Sequence, residues 1–349
     1  MARPKKTADE QPQDDTRELS PAEKAKILKE KFNKQFKKNI LQTYVDEDDI
    51  SVKRLPGGIL SLDLILGGGN GVFGLPVGRV IEVYGPESAG KSSVTTAWMA
   101  NAQAQGKTVA LIDAEHALDP EYAAKTFGLK LDELLVCQPE TGEEAYDVAL
   151  SLADSGQVDL IVLDSVAAIL PKAEDEGSMD QQFMGLAARL NNKMMRKIVP
   201  ALGHNNCTLI LINQIREKMV MMGNPETTTG GRGIKYASSI RLDVRRSEEV
   251  NDNGELVGHI IKCKTIKNKT GKPQRVTHIR LDYNKGFNKE FCLVEQGIMH
   301  DIISGGGTAW LKFDGEQFQG RTKLVDRLEN DPVLAKKLET AILEKLSDA

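Results

Sequence analysis

"RVIEVYGPESAGKSS", Arg79–Ser93, decides the fold. Its first six residues are an apolar run of the kind buried in a parallel sheet. Tyr84–Ser92, "YGPESAGKS", then fits GxxxxGK[ST], and "SSVTTAWMANAQAQ", ending at Gly106, has helical character. Strand, glycine-bounded loop and helix in that order make a phosphate cradle. Gly85 and Gly90 let backbone amides wrap anionic oxygens at a helix N-terminus. Lys91 is placed to reach the β- and γ-phosphates, and the Ser92 hydroxyl to ligate Mg²⁺. The candidate nucleotide segment is therefore Gly85, Pro86, Glu87, Ser88, Ala89, Gly90, Lys91, Ser92 and Ser93.

Working outward, "TVALID", "DLIVLD" and "TLILIN" repeat the apolar run, with helical segments between them. Such alternation specifies an α/β fold with a mostly parallel central sheet flanked by helices. Each run ends in chemistry. Asp164 closes "DLIVLD", where it suits a Mg²⁺ contact or an ordinary strand end; beside a phosphate loop the first reading wins. Asp113 ends "TVALID", and Glu115 and His116 follow it in "VALIDAEHALDP" (Val109–Pro120), at the sheet edge where ligands of such folds bind. Glu115 is the candidate to orient or deprotonate an attacking water, the alternative being a structural acidic cluster. Gln214 ends the fourth run, where a glutamine can sense a γ-phosphate or simply cap the strand. Beyond Ser238 the pattern turns to alternating strands, with a hairpin expected around Asn253–Gly254 and a further strand in "QRVTHIRLDY".

Four segments are expected: a polar tail (1–20), an N-terminal helix with a linker (21–50), the main domain (51–287) and a small α/β domain (288–349). In "PAEKAKILKEKFNKQFKKNIL", Ala25, Leu28, Phe32, Phe36 and Ile40 form an apolar stripe at helical spacing, opposed by seven lysines between Lys24 and Lys38. That stripe needs a partner, in its own domain or on a neighbouring subunit. The chain has 349 residues, 40% apolar, and no run long enough to span a membrane. Four scattered cysteines without CxxC spacing point to reduced thiols and a cytoplasmic setting, and neither they nor the five histidines have metal-ligand spacing. Net charge is −4, yet residues 111–182 carry 3 basic and 17 acidic side chains while 216–289 carry 16 basic and 8 acidic. Charge so segregated can present a positive face to nucleic acid, although a solvated surface accounts for it equally well.

"MVMMGNPETTTGG", Met219–Gly231, has the composition of neither strand nor helix. Its methionines pack into a core or hold something from outside. Here the residues resemble a known family. "GPESAGKS", "DAEHALDP", "LIVLDSVAAILPKAE", "MGLAARL", "LINQIR" and "GNPETTTGG", in one order and spacing, are similar to the bacterial RecA recombinases, from about Ile27 to Leu346. The resemblance implies a RecA-type P-loop ATPase core, an N-terminal docking helix and a small C-terminal α/β domain. It implies a DNA-dependent ATPase that forms helical filaments of itself on single-stranded DNA, pairs them with homologous double-stranded DNA, and stimulates self-cleavage of a LexA-type repressor.

By that resemblance ATP and Mg²⁺ lie between subunits. Lys91 and Ser92 hold phosphates and metal, Asp164 supports the metal, Glu115 acts on water, and Asp119 and Tyr122 contact adenine. Gln214 senses the γ-phosphate, while Lys267 and Lys269 reach a neighbour's phosphates. Two loops, around Glu174–Met184 and Arg216–Arg232, match DNA-binding loops, with Met184, Arg189, Arg196, Arg216, Met222, Thr228, Gly230, Gly231 and Arg232 as contacts. The loose methionines are then wedges between bases, and the glycines and threonines bring backbone and hydroxyls to phosphates. Three features depart from the family pattern. "GGGNGVFGLP" is longer than the usual turn, the second loop is one residue short and lacks an aromatic, and an acidic tail is absent after "LEKLSDA". Two rival classes are a small-molecule phosphoryl-transfer enzyme and a non-hydrolysing ATP-switched assembly protein; neither accounts for the paired loops.

Overall fold

The computed structural model of the chain describes residues 19–43, 52–67, 72–178, 185–217, 226–305 and 309–347. It divides into two compact units, Met1–Ser51 and Val52–Ala349. In the first, α1 (Pro21–Phe36) opens with a capping box: Ser20 Oγ accepts from the Glu23 N–H, and the Glu23 carboxylate accepts from the Ser20 N–H. The helix stops at Phe36, short of the Ile40 that continues the apolar spacing. Lys37 adopts φ 50°, and the Asn33 side chain binds the backbone of Ile40 and Leu41 instead. None of its side chains is buried; Ile27, Leu28 and Phe36 are each at least half exposed.

The second unit begins with β1 (Arg54–Leu55), α2 (Leu60–Leu66) and β2 (Leu75–Pro76). Its α/β core follows as β3 (Val80–Gly85), α3 (Lys91–Ala104), β4 (Val109–Asp113), α4 (Pro120–Phe127), β5 (Leu134–Cys137), α5 (Gly142–Asp154) and β6 (Leu160–Asp164). Next come α6 (Lys172–Asp175), α7 (Leu186–Asn205), β7 (Thr208–Glu217), β8 (Glu226–Thr228) and α8 (Arg232–Ala237). The antiparallel part is β9 (Ile240–Asp252), β10 (Glu255–Asn268), β11 (Val276–Asp282) and β12 (Gly286–Phe287). The hairpin falls where the sequence places it, with Asn253 and Gly254 both at positive φ (49° and 85°) as a tight two-residue turn requires.

The main sheet runs β12-β11-β10-β9-β3-β7-β6-β4-β5, and β8 pairs with β7. From β9 to β5 all neighbours are parallel. Successive side chains alternate faces. Ile81, Val83, Leu111, Val162 and Ile210 pack with Val94, Trp98 and Met99 of α3. On the other face Val80, Ile112, Ile161, Leu163 and Leu209 pack with Ala149 of α5 and Met195 and Ile198 of α7. Burying each large side chain contributes about 1.5–3 kcal/mol, so both helical layers are firmly held.

The chain ends in α9 (Lys289–Met299), β13 (Trp310–Phe313), β14 (Glu316–Gln319), α10 (Gly320–Glu329) and α11 (Pro332–Ser347). These share an apolar cluster of their own, including Phe291, Leu311, Phe318, Leu324 and Leu338. No described helix is long and apolar enough to cross a membrane.

Candidate nucleotide and nucleic-acid site

Because β3, β7, β6 and β4 are parallel and adjacent, their carboxyl ends line one edge of the sheet. Register places Gly85 beside Gln214 and Asp113 beside Asp164. Candidate residues from four distant stretches thus converge.

The loop after β3 bends through Ser88 (φ 56°) and Gly90 (φ 92°) before α3 starts at Lys91. The Lys91 ammonium, almost wholly buried, donates to the carbonyls of Gly85 (3.2 Å) and Pro86 (2.6 Å). Burial lowers its pKa, opposed by Asp164, Glu115 and Glu87. At the second residue of α3, Ser92 Oγ donates to Asp164 Oδ2 at 2.9 Å. Burial pushes Asp164 up to about 6; the Ser92 hydrogen bond lowers it, Glu115 and Asp113 raise it, and Lys91 lowers it again. A carboxylate so placed lacks full compensation, and a hard cation beside Ser92 Oγ would supply it. No cluster of three or more potential side-chain ligands occurs among the described residues. The donor set therefore suits an ion that takes one carboxylate, one hydroxyl and the remaining oxygens from phosphate and water.

Glu115, exposed beyond β4, accepts on Oε1 from Gln214 Nε2 at 3.0 Å and from the Ser165 hydroxyl. Ser165 follows a cis Asp164–Ser165 peptide bond. Sequence reasoning missed its part in holding Glu115; the one available signal is its place directly after Asp164. Asp113, buried, accepts from the Ala117 N–H (3.1 Å) and so shapes the "AEHAL" turn. Beside Ser92 and Asp164 opens a cleft whose lining includes Ser93, Thr96, Met99, Asp119, Tyr122 and Phe127. Its apolar and aromatic walls suit a flat heterocycle. Asp119 Oδ1 also caps α4, accepting from the Tyr122 N–H at 3.0 Å, which leaves Oδ2 for a ligand.

Lys267 and Lys269 are engaged elsewhere. Their ammonium groups donate to the carbonyls of Lys235 and Tyr236 at the end of α8. Arg189 and Arg196 are exposed two turns apart on α7, and Arg216 and Arg232 are exposed at the two ends of the second loop. Gly230 and Gly231 take φ of 78° and 82° just before α8. Thr228 is buried, and its hydroxyl accepts from Arg241. Met184, Met219, Met221 and Met222 lie outside the described residues.

A family profile described as the RecA N-terminal domain matches residues 24–288. Proteins named RecA from Frankia casuarinae and Frankia alni are each 46% identical over 317 residues, covering 90% of this chain and 90% of their own. The chain belongs to the RecA family. It is accordingly a nucleotide-binding, DNA-dependent ATPase of DNA recombination and repair. The crystal structure of the RadB recombinase matches with a TM-score of 0.50 at 21% identity, covering 67% of this chain and 98% of that one, and agrees in fold. In this RecA-family chain the expected core is present as a mostly parallel sheet between helical layers.

Proposed function

We propose that this chain assembles as a helical filament on single-stranded DNA, binds ATP with Mg²⁺, and exchanges that strand into homologous double-stranded DNA. The observation that carries this is the meeting at one sheet edge of Ser92 with Asp164 and of Glu115 with Gln214. It joins a phosphate loop, an acidic strand end and a residue at the root of the second loop.

Lys91 exchanges its two carbonyl partners for β- and γ-phosphate oxygens, and its charge offsets theirs. Ser92 and Asp164 would hold Mg²⁺, which when bound screens phosphate charge. Glu115, exposed yet anchored by Ser165 and Gln214, orients or deprotonates the attacking water. Asp119 and Tyr122 contact adenine in the cleft. Gln214 is poised to exchange Glu115 for the γ-phosphate and so report its presence to Arg216–Arg232. Lys267 and Lys269 reach a neighbour's phosphates after leaving α8. DNA contacts come from the Glu174–Met184 segment, from Arg189 and Arg196, and from the second loop with Gly230 and Gly231. The family further supports stimulation of a LexA-type repressor's self-cleavage. Four free cysteines, three of them buried, support a cytoplasmic setting.

ATP turnover with and without single-stranded DNA tests the whole reading. Strong stimulation by DNA of any base sequence, weakening with salt, is expected. Turnover indifferent to DNA would move the reading to small-molecule phosphoryl transfer. Absence of turnover would move it to a nucleotide-switched assembly protein.

A further inference from the structure

A second polar cluster, apart from the phosphate site, is buried within the sheet. Glu82 lies in the middle of β3 and is fully buried. Directly across the pairing to β9 stands Arg241, whose Nε donates to Glu82 Oε2. From β7, Asn213 Nδ2 donates to Glu82 Oε1 at 2.9 Å and to the Thr229 carbonyl at 3.1 Å. Asn213 Oδ1 accepts from the Gln214 N–H (2.9 Å) and from the Thr229 hydroxyl. Arg241 also reaches Thr228 Oγ1 at 3.4 Å and covers the Tyr84 ring, its guanidinium carbon 4.7 Å from the centroid.

Stability alone does not account for this arrangement. A buried ion pair is seldom more stabilising than apolar side chains of the same volume. What a fully satisfied polar network supplies is a single placement of its members. Here the members are the strand that leads into the phosphate loop, the backbone of Gln214 and the returning arm of the second loop. The Thr229 N–H also donates to the Gln214 carbonyl at 3.3 Å, so sensor and arm are bound through both main chain and side chain.

We propose that Asn213, held by the Glu82–Arg241 pair, is a positioning residue that latches Thr229 to Gln214. A movement of Gln214 toward or away from a γ-phosphate is thereby transmitted to the arm that ends at Gly230–Gly231. This rests on the reading of Arg216–Arg232 as a DNA loop and of Gln214 as its sensor. The latch is a separate claim: without it the sensor moves and the arm does not follow.

Thr229→Val removes the hydroxyl at nearly constant volume, and Thr229→Ser keeps it. The measurement is the ratio of single-stranded DNA dissociation constants with ADP and with a non-hydrolysable ATP analogue, run beside nucleotide affinity, DNA-free ATPase and a thermal melt. In Thr229→Val the ratio should shrink by roughly fivefold, the equivalent of one net hydrogen bond. Thr229→Ser, which keeps the hydroxyl, should retain most of the ratio. Glu82→Gln, which releases Arg241, should shrink the ratio in the same direction. An unchanged ratio in Thr229→Val overturns the latch while leaving the DNA-loop reading standing. A wild-type protein whose DNA affinity ignores nucleotide overturns both. A lowered melt with an unchanged ratio assigns the cluster to stability and overturns the proposal.

Discussion

Gly85→Ala tests whether the phosphate loop depends on close approach of two backbones. A Cβ built on Gly85 would lie 2.0 Å from the carbonyl oxygen of Val244 on β9. Ordinary contact begins near 3.4 Å, so the two must part by about 1.4 Å (3.4 less 2.0). The obstacle is main chain of a neighbouring strand and cannot rotate aside. β3 therefore moves, carrying with it the Gly85 carbonyl that receives Lys91 and the loop that follows. A misplacement of 1 Å at a reacting centre costs about 10²-fold in rate, near 2.7 kcal/mol of transition-state stabilisation. Overpacking adds about 1–3 kcal/mol of lost stability, on the order of 2–5 °C in melting temperature for a unit of this size. ATPase kcat/KM, nucleotide affinity and a thermal melt should be measured together. The control is Gly106→Ala, where φ is 72° but nothing lies within 4 Å of the added atom. It should cost about 1 kcal/mol of stability and leave turnover intact. Wild-type kcat/KM in Gly85→Ala would refute the close-approach argument.

Three further outcomes are expected. Glu115→Gln keeps shape and removes the base, so turnover should fall about 10²–10⁴-fold with nucleotide binding preserved; steady-state ATPase beside a nucleotide titration checks it, and normal hydrolysis removes Glu115 from its role. Glutamate at Leu28, Phe32 and Phe36 should abolish filaments in sedimentation or electron microscopy while leaving a folded protein, since none of these side chains is buried in α1; undiminished filaments count against a docking helix. Burial pushes Asp63 up to about 7, against hydrogen bonds from the Gly57 and Gly58 N–H groups that lower it. The folded state then holds a proton that the unfolded chain, titrating near ~3.9, releases. Stability from this group is complete below about pH 4 and is lost as pH rises through 7, by up to about 4 kcal/mol. Urea melts of wild type and Asp63→Asn between pH 5 and 8 should differ by an amount that shifts with pH in the variant's favour, and a constant difference would show Asp63 ionised throughout.

What the sequence discloses and conceals follows from the range of each interaction. Buried parallel strands such as "DLIVLD" and "TLILIN" are legible because two covered faces leave little room for polar residues, and each ends in the side chain it presents. β5 was missed: four residues after the single turn Leu131–Glu133 give no period to read. The end of α1 was misplaced because Lys37, and not glycine, takes the left-handed cap, while Ile40 continues the apolar spacing by coincidence. Glu82 read as one polar residue in an apolar run, since Asn213 and Arg241 lie 131 and 159 residues away in the chain. Strand order is the decisive hidden quantity. Had the strands lain in chain order, β4, β5 and β6 would all stand between β3 and β7. Gln214 could then not stand beside Gly85, and Asn213 could not reach Glu82. The observed order β3-β7-β6-β4 puts the phosphate loop and the root of the second loop on neighbouring strands. Each candidate residue is local information, but their chemistry as a set depends on a crossover that no short stretch of sequence encodes.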